Sequence, residues 1–101
     1  MVLVNMHTGP LEQVIVTKPV FTVGRSPSCD YTPPNISYIS GVHATIYIDV
    51  AQRKVMIKDN GSQNGTFVNN LRLPPEQKYQ LSVGDIIQIG TMRFRVEFAH
   101  F

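Results

Sequence analysis

The sequence predicts an all-β fold, an antiparallel β-sandwich of short strands, and three observations support this prediction. Short runs of β-branched and aromatic residues alternate with clusters of Gly, Pro, Asn and Ser along the chain, a pattern typical of sandwiches and barrels. Two of these runs alternate apolar and polar residues with period 2, which puts one face of each strand against a core. No segment of useful length shows the helical period of about 3.6 residues.

The first candidate strands lie in the N-terminal quarter of the chain. They are VLVN (2–5), QVIVT (13–17) and FTVG (21–24), with TGP (8–10) and TKP (17–19) as breaks. Gly and Pro interrupt regular structure, so we expect three short strands rather than one long element.

The clearest strand is HATIYIDV (43–50), in which every second residue from Ala44 to Val50 is apolar. These residues are expected to face the core, while His43 and every second residue after it face the other side. RKVMIKD (53–59) follows after a short turn and is expected to pair with the first strand as a hairpin.

A second alternating strand ends the chain at MRFRVEF (92–98), where apolar residues from Met92 to Phe98 alternate with charged ones. IIQIG (86–90) precedes it as another candidate strand. Little more than Thr91 lies between the two runs, so we expect a tight turn there. PPEQ (74–77) is expected to be a surface turn.

The segment SPSCDYTPPNISYISG (26–41) lacks this alternation and contains three prolines. Because Pro33 and Pro34 have no N–H to donate to a central ladder, the segment is expected to be a loop or an edge strand. Long irregular segments between good strands often carry function on a β-scaffold. We therefore expect functional residues here.

Length and composition indicate one domain, residues 1–101, that is 43% hydrophobic and can bury a core. The net charge of +2 comes from scattered basic residues, and this distribution does not predict nucleic-acid binding.

No apolar run approaches the ~18 residues of a membrane span, and no secretory signal begins the chain. Cys29 alone cannot form an internal disulfide. These features predict an intracellular protein that does not bind membranes.

Signals for catalysis and metal binding are weak. Ser40 and His43 lie three positions apart, and Asp30 or Asp59 could complete a nominal triad. The G-x-S-x-G turn is absent, however, and nothing in the sequence positions an oxyanion hole. Cys29 and the three histidines lack metal-ligand spacing. We predict no catalytic residue, metal or cofactor, and a Ser/His hydrolase remains an alternative.

The stretch DNGSQNGTFVN (59–69) contains two Asn-Gly pairs, each of them a turn signal. It is not a phosphate-binding P-loop, because no Lys follows Gly65 and a strand rather than a helix comes next. Asn35, Asn60 and Asn64 each begin an N-x-[ST] triplet. These triplets do not predict glycosylation, because the chain shows no signal for secretion.

Several polar residues sit where strands end. Arg25 directly follows FTVG, and its planar guanidinium suits a phosphate or a carboxylate. Ser40 offers a hydroxyl beside Gly41, whose bare backbone N–H a ligand could approach. His43 would tie down a loop, and Asn64 could adopt left-handed geometry or bind a peptide backbone.

Four sequence blocks together resemble the forkhead-associated (FHA) family, and they span essentially the whole chain. The blocks are GRSPSCDY (24–31), SGVH (40–43), DNGSQNGTFVN (59–69) and LSVGDIIQIG (81–90). The family pattern is G-R, S-x-x-H, S-x-N-G-T-x-[VI]-N and L-x-x-G-D-x-[IL]-x-[IL]-G, in this order. The resemblance implies a sandwich of about eleven antiparallel strands that recognises phosphothreonine through loops at one end.

The resemblance also implies roles for individual residues. Arg25 and Ser40 would contact the phosphate, Asn64 would hydrogen-bond the ligand backbone, and Gln63 would line the pocket. The residues that would support this site are Gly24, His43, Gly65 and Thr66.

Two positions depart from the family pattern. Gly41 replaces a basic or polar residue found in many members, which weakens binding or shifts it onto the Gly41 N–H. Tyr38 lies where some members carry a charged residue that selects the third residue after the phosphothreonine. A tyrosine there favours an apolar over an acidic preference.

The resemblance implies a non-enzymatic module whose partners are phosphothreonine-containing proteins. We expect an isolated domain of this kind to be monomeric, to come from a longer chain, and to act inside the cell, in the nucleus rather than the cytoplasm. The alternatives are a scaffold of the same fold that binds partners or itself independently of phosphate, and the hydrolase.

Overall fold

The computed structural model describes residues 1–6 and 13–98, with Phe98 described by its backbone alone. Within these residues the chain forms ten strands, and all strand pairs are antiparallel. The predicted all-β antiparallel sandwich is therefore confirmed. The strands are β1 (Val2–Asn5), β2 (Gln13–Ile15), β3 (Val20–Val23), β4 (Ala44–Asp49), β5 (Lys54–Asp59), β6 (Thr66–Val68), β7 (Leu71–Arg72), β8 (Lys78–Leu81), β9 (Ile86–Ile89) and β10 (Met92–Phe98). None of the described residues belongs to a helix of the length and apolar character needed to cross a membrane.

The strands form two sheets that enclose one core. The six-stranded sheet has the order β2-β1-β10-β9-β6-β7, and the four-stranded sheet has the order β3-β4-β5-β8. Buried apolar side chains from both sheets make up a single cluster. The alternation in the sequence explains this arrangement, because it gives each sheet one apolar face that must be covered.

The two strands with the clearest alternation supply much of the core. Ile46 of β4 and Ile57 of β5 pair directly and are buried, and Phe94 and Val96 of β10 belong to the same core cluster from the other sheet. The prediction for Val50 was wrong: its side chain is 61% exposed, because β4 ends at Asp49 and position 50 begins the turn to β5.

Tight turns join two pairs of neighbouring strands in the six-stranded sheet. Met92 pairs with Ile89, so Gly90 and Thr91 form the turn between β9 and β10. Val68 pairs with Leu71 in the β6–β7 hairpin, and the two residues between them, 69 and 70, have φ values of 51° and 68°. Positive φ at both central positions is the requirement of a type I′ turn. The sequence prediction did not identify this Asn-Asn turn.

The irregular segment between β3 and β4 lies over one end of the sandwich, as expected. Tyr31 anchors it by a single parallel bridge to Val23 and by an edge-to-face contact with Phe94, with ring centroids 6.0 Å apart. An isolated bridge is not a strand, so the described residues contain ten strands where the resemblance implied about eleven. The predicted break at 8–10 lies outside the described residues.

Candidate functional site

Two loops meet at one end of the four-stranded sheet because of its strand register. Ala44, the first residue of β4, pairs with Val23 at the end of β3 and with Asp59 at the end of β5. The segment 24–43 and the segment 60–65 therefore leave the sheet side by side. The polar residues predicted at these strand ends come from positions far apart in the chain, and the register brings them together.

The two loops line an open cavity of about 600 Å³. All six residues predicted to contact a ligand line it, together with two isoleucines that the sequence prediction did not include. The lining residues are Arg25, Ile36, Tyr38, Ile39, Ser40, Gly41, Gln63 and Asn64. The cavity thus has a polar part and an apolar part formed by Ile36, Tyr38 and Ile39.

Backbone hydrogen bonds fix the position of Arg25 at this cavity. Its N–H donates to the carbonyl oxygen of Ser40 at 3.0 Å, and the N–H of Ser26 donates to Gly41 O at 2.9 Å. The exposed guanidinium of Arg25 makes no hydrogen bond or ion pair with any of the residues described here. Its donors therefore remain available to an anionic ligand.

Ser40 connects the two loops through its hydroxyl. The Ser40 Oγ accepts a hydrogen bond from the backbone N–H of Gln63 at 3.2 Å. Because Oγ is the acceptor in this bond, the hydroxyl proton can still be donated to a ligand.

His43 is fully buried and braces both loops. Its Nδ1 accepts a hydrogen bond from the N–H of Ser40 at 3.1 Å, and its Nε2 lies 2.8 Å from the carbonyl oxygen of Gly65. Since Nδ1 is an acceptor, the ring proton is on Nε2 and is donated to Gly65. The side-chain oxygen of Ser40 has another partner, so this arrangement is not the Ser–His pair of a hydrolase.

The carboxylates considered for a triad also have other partners. Asp30 accepts hydrogen bonds from Lys18 Nζ at 2.7 Å and from the N–H of Thr22 at 2.9 Å. The hydrogen bond from Lys18 lowers the pKa of Asp30, and the bond from Thr22 adds to this effect. Asp30 therefore ties the irregular segment to Thr22 in β3 and to Lys18, which precedes that strand.

Asp59 is a supporting residue whose role the sequence prediction missed. Its carboxylate is 1% exposed and accepts four hydrogen bonds. Two come from the backbone N–H groups of Gly61 and Ser62, and two come from the hydroxyls of Ser62 and Thr66, at 2.5 and 2.8 Å. The only sequence signal for this cluster is the order D-x-x-S-x-x-x-T, which places one acceptor side chain and two hydroxyl donors within eight residues.

The two Asn-Gly pairs differ in their surroundings. Asn60 donates from Nδ2 to Thr45 Oγ1 at 2.8 Å and leads the chain out of β5. Asn64 lines the cavity, and its Nδ2 donates to the carbonyl oxygen of Tyr38 at 3.3 Å. In each pair the glycine has the positive φ, 73° at Gly61 and 86° at Gly65, so the left-handed geometry considered for Asn64 is not adopted.

Gly24 and Gly41 lie close together, but the space around them differs for an added side chain. A Cβ atom at position 24 would lie 2.2 Å from the carbonyl oxygen of Gly41 and 2.9 Å from the backbone nitrogen of His43. A Cβ atom at position 41 would have no atom within 4 Å. The close approach at Gly24 explains why only glycine fits before Arg25, whereas Gly41 opens directly to the cavity.

Tyr38 forms the exposed rim of the cavity. Its side chain is 65% exposed, and its φ of 66° is a conformation that few non-glycine residues adopt.

No candidate metal site is present among residues 1–6 and 13–98, which contain no group of three or more His, Cys, Asp or Glu that could hold an ion.

Comparison with known proteins identifies relatives of this chain. The FHA domain model matches residues 21–90, which include every residue placed at the cavity. Mouse E3 ubiquitin-protein ligase CHFR is 35% identical over 77 residues, which cover 76% of this chain and 11% of the ligase. The serine/threonine-protein kinase RAD53 of Saccharomyces cerevisiae is 36% identical over 73 residues, which cover 72% of this chain and 9% of the kinase. The chain therefore spans only about a tenth of the length of these relatives.

The fold also matches solved structures. One is the X-ray structure of the N-terminal FHA domain of S. cerevisiae Rad53p in complex with a phosphothreonine peptide. It superposes with a TM-score of 0.81 at 24% identity, covering 95% of this chain and 90% of that one. At this identity the likeness establishes the architecture of the sandwich and the placement of its strands.

Proposed function

This chain belongs to the forkhead-associated family, and on that premise we propose that its cavity binds phosphothreonine in segments of partner proteins. The observation that carries the proposal is that Arg25 and Ser40, joined by a backbone hydrogen bond, both line the cavity with their side-chain donors unused. A phosphate at neutral pH carries a charge of about −2 and three acceptor oxygens. A guanidinium and a hydroxyl that need no internal partner match this chemistry.

Each lining residue has a part in the proposed complex. Arg25 binds the phosphate by charge-assisted hydrogen bonds, and Ser40 Oγ donates to a second phosphate oxygen. The N–H of Gly41 supplies a further donor, since it donates to no described residue. Gln63 contributes a wall of the pocket.

Asn64 holds the ligand backbone in this proposal. Its Nδ2 group is oriented by the carbonyl of Tyr38, which leaves Oδ1 to accept a hydrogen bond from a peptide N–H. The supporting residues Gly24, His43, Gly65 and Thr66 keep the two loops at the separation that the ligand requires.

The module acts as a non-catalytic domain of a longer protein, and the short span of its relatives that it matches supports this. The relatives are named as a ubiquitin ligase and a protein kinase, which supports a role in intracellular signalling. We include a nuclear location in the proposal, and imaging of the tagged full-length protein tests it.

A titration with three matched peptides tests the proposed function. The peptides share one sequence drawn from a degenerate library and carry phosphothreonine, phosphoserine or unmodified threonine. We expect binding of the phosphothreonine form, with Arg25→Ala abolishing it while the thermal midpoint is preserved. Lys54→Ala is the matched control, because it removes one exposed charge at the far end of β5.

Other outcomes support the alternatives. Equal binding of phosphorylated and unmodified libraries would show a phosphate-independent scaffold, and concentration-dependent association would show binding to itself. Turnover of a generic ester that Ser40→Ala removes would support the hydrolase.

A further inference from the structure

A second arginine lies against the loop that supplies Asn64. Arg72 of β7 is exposed, and its side chain runs along the face of Gly65. A Cβ atom at position 65 would lie 2.7 Å from Arg72 Nε, 3.0 Å from Cζ and 3.2 Å from Cδ. The missing side chain of Gly65 therefore provides the space in which the guanidinium packs.

The position of Gly65 is itself fixed. Its carbonyl accepts the hydrogen bond of His43 at 2.8 Å, and its N–H donates to Ser62 Oγ at 2.9 Å. Arg72 thus packs on a rigid part of the loop, next to the residue proposed to hold the ligand backbone.

The guanidinium of Arg72 has no internal anionic partner. Among residues 1–6 and 13–98, no hydrogen bond, ion pair or ring contact holds it. The carboxylates that precede and follow this part of the chain are engaged elsewhere: Asp59 accepts four hydrogen bonds inside the loop, and Glu76 Oε2 lies 3.7 Å from Lys58 Nζ. Arg25 and Arg72 therefore lie by the same loop as two cations without internal partners.

We propose that Arg72 is a second anion contact, which binds an acidic group of the same peptide outside the phosphothreonine itself. The inference rests on the proposed function, because the peptide must first be held at Arg25, Ser40 and Asn64. A planar guanidinium accommodates a carboxylate or a second phosphate, each through two parallel hydrogen bonds. The ligand is thus a phosphothreonine segment with a further negative charge a few residues away.

Packing on Gly65 gives this contact an advantage over an ordinary surface arginine. A mobile side chain loses rotamer entropy when it forms an ion pair, which keeps most exposed pairs weak. The stem of Arg72 is already restrained by the loop backbone, so less freedom is lost on binding.

The test is an acidic scan of a phosphothreonine peptide in an alanine background. One position at a time, from four residues before to four residues after the phosphothreonine, is replaced by Asp in one series and by phosphoserine in another. Affinities are measured for the wild type, Arg72→Gln, Arg72→Lys and the control Lys54→Ala. Arg72→Gln keeps most of the stem and removes the charge, and thermal midpoints verify folding.

We expect at least one position at which an acidic residue improves wild-type affinity by about threefold to tenfold. Arg72→Gln removes this gain, Arg72→Lys retains part of it, and Lys54→Ala leaves it unchanged. The gain shrinks as salt is raised, because the contact is exposed. Comparison of the Asp and phosphoserine series shows whether a carboxylate suffices or a second phosphate is required.

Failure of this contact is distinguishable from failure of the proposed function. If the alanine-background peptide binds with dependence on Arg25 but no acidic position shows a gain that requires Arg72, the second contact is wrong and phosphothreonine binding stands. If no phosphothreonine peptide binds, both proposals are overturned.

Discussion

The Nε2 atom of His43 donates a hydrogen bond to the carbonyl oxygen of Gly65 across 2.8 Å, and this bond links the two loops of the cavity. On the other side of the ring, Nδ1 accepts the N–H of Ser40. One buried imidazole therefore fixes both the phosphate side and the backbone-binding side of the proposed site.

Replacing His43 by Ala should destabilise the domain by about 1–3 kcal/mol, because it leaves the Ser40 N–H and the Gly65 carbonyl without partners in a buried site. Urea unfolding measures the change. His43→Phe, which fills the volume without hydrogen bonds, separates lost packing from lost hydrogen bonding. An unchanged midpoint combined with lost peptide binding would mean that His43 contacts the ligand directly rather than bracing the loops.

Gly24 and Gly41 provide a matched pair of substitutions. Gly24→Ala should cost about 1–3 kcal/mol or more, because the new methyl would lie 2.2 Å from a backbone oxygen that cannot move aside cheaply. Gly41→Ala should leave the thermal midpoint nearly unchanged, since its Cβ meets no atom within 4 Å. Differential scanning calorimetry of both variants checks this, and equal destabilisation would contradict the close approach at Gly24.

Asp59→Asn should loosen the loop 61–65 and weaken peptide binding even though no ligand contact is removed. The amide loses the charge that strengthens four hydrogen bonds and replaces an acceptor oxygen by a donor, which costs about 1–3 kcal/mol of folding stability. Asp49→Asn, at the opposite end of the same hairpin, is the control. Slower amide exchange in the loop of Asp59→Asn than in the wild type would contradict this role.

The sequence predicted those parts of the fold that follow from local patterns. Alternation in β4, β5 and β10 identified the hairpin and the core, because half-buried strands require period 2. Val50 was wrongly predicted to face the core, because alternation alone does not show at which residue a strand ends and a turn begins. The Asn69–Asn70 turn was missed because its left-handed φ values follow from the pairing of Val68 with Leu71, which a short apolar run does not encode.

The polar residues at the strand ends were found from their types and from the family pattern, but the network that positions them was not. Asp59 and Arg72 look like ordinary charged residues in the sequence. Their importance depends on what lies beside them: hydroxyls and N–H groups around Asp59, and the bare face of Gly65 beside Arg72. Such contacts are set by tertiary structure and leave no local pattern.

Tyr38 should give the domain an apolar rather than an acidic preference at the third residue after the phosphothreonine. Its exposed ring lies at the cavity rim, in the part of the lining formed with Ile36 and Ile39, and none of these three side chains carries a charge. A phosphothreonine library degenerate at that position measures the preference, and Tyr38→Arg should shift it towards Asp. Tyr38→Phe is the control that should leave it unchanged. A wild-type preference for Asp that survives in Tyr38→Phe and Tyr38→Arg alike would assign selectivity to another residue.

The contribution of Asp30 to stability should disappear in acid. The hydrogen bond from Lys18, with that from Thr22, holds the pKa of Asp30 below its ordinary value of 3.8. A carboxyl group whose pKa is lower in the folded state stabilises the fold above its unfolded-state value and loses that effect as the pH falls through the folded-state value. Urea unfolding at pH 6 should therefore show the wild type more stable than Asp30→Asn, and the difference should shrink steadily below pH 3.8. Comparison of the two proteins cancels the titration of the other carboxylates. Repeating the series at high salt should reduce the difference, because the Lys18 side chain that pairs with Asp30 is 61% exposed to solvent. A difference that stays constant down to pH 2 would show that Asp30 holds the irregular segment through its shape and neutral hydrogen bonds rather than through its charge.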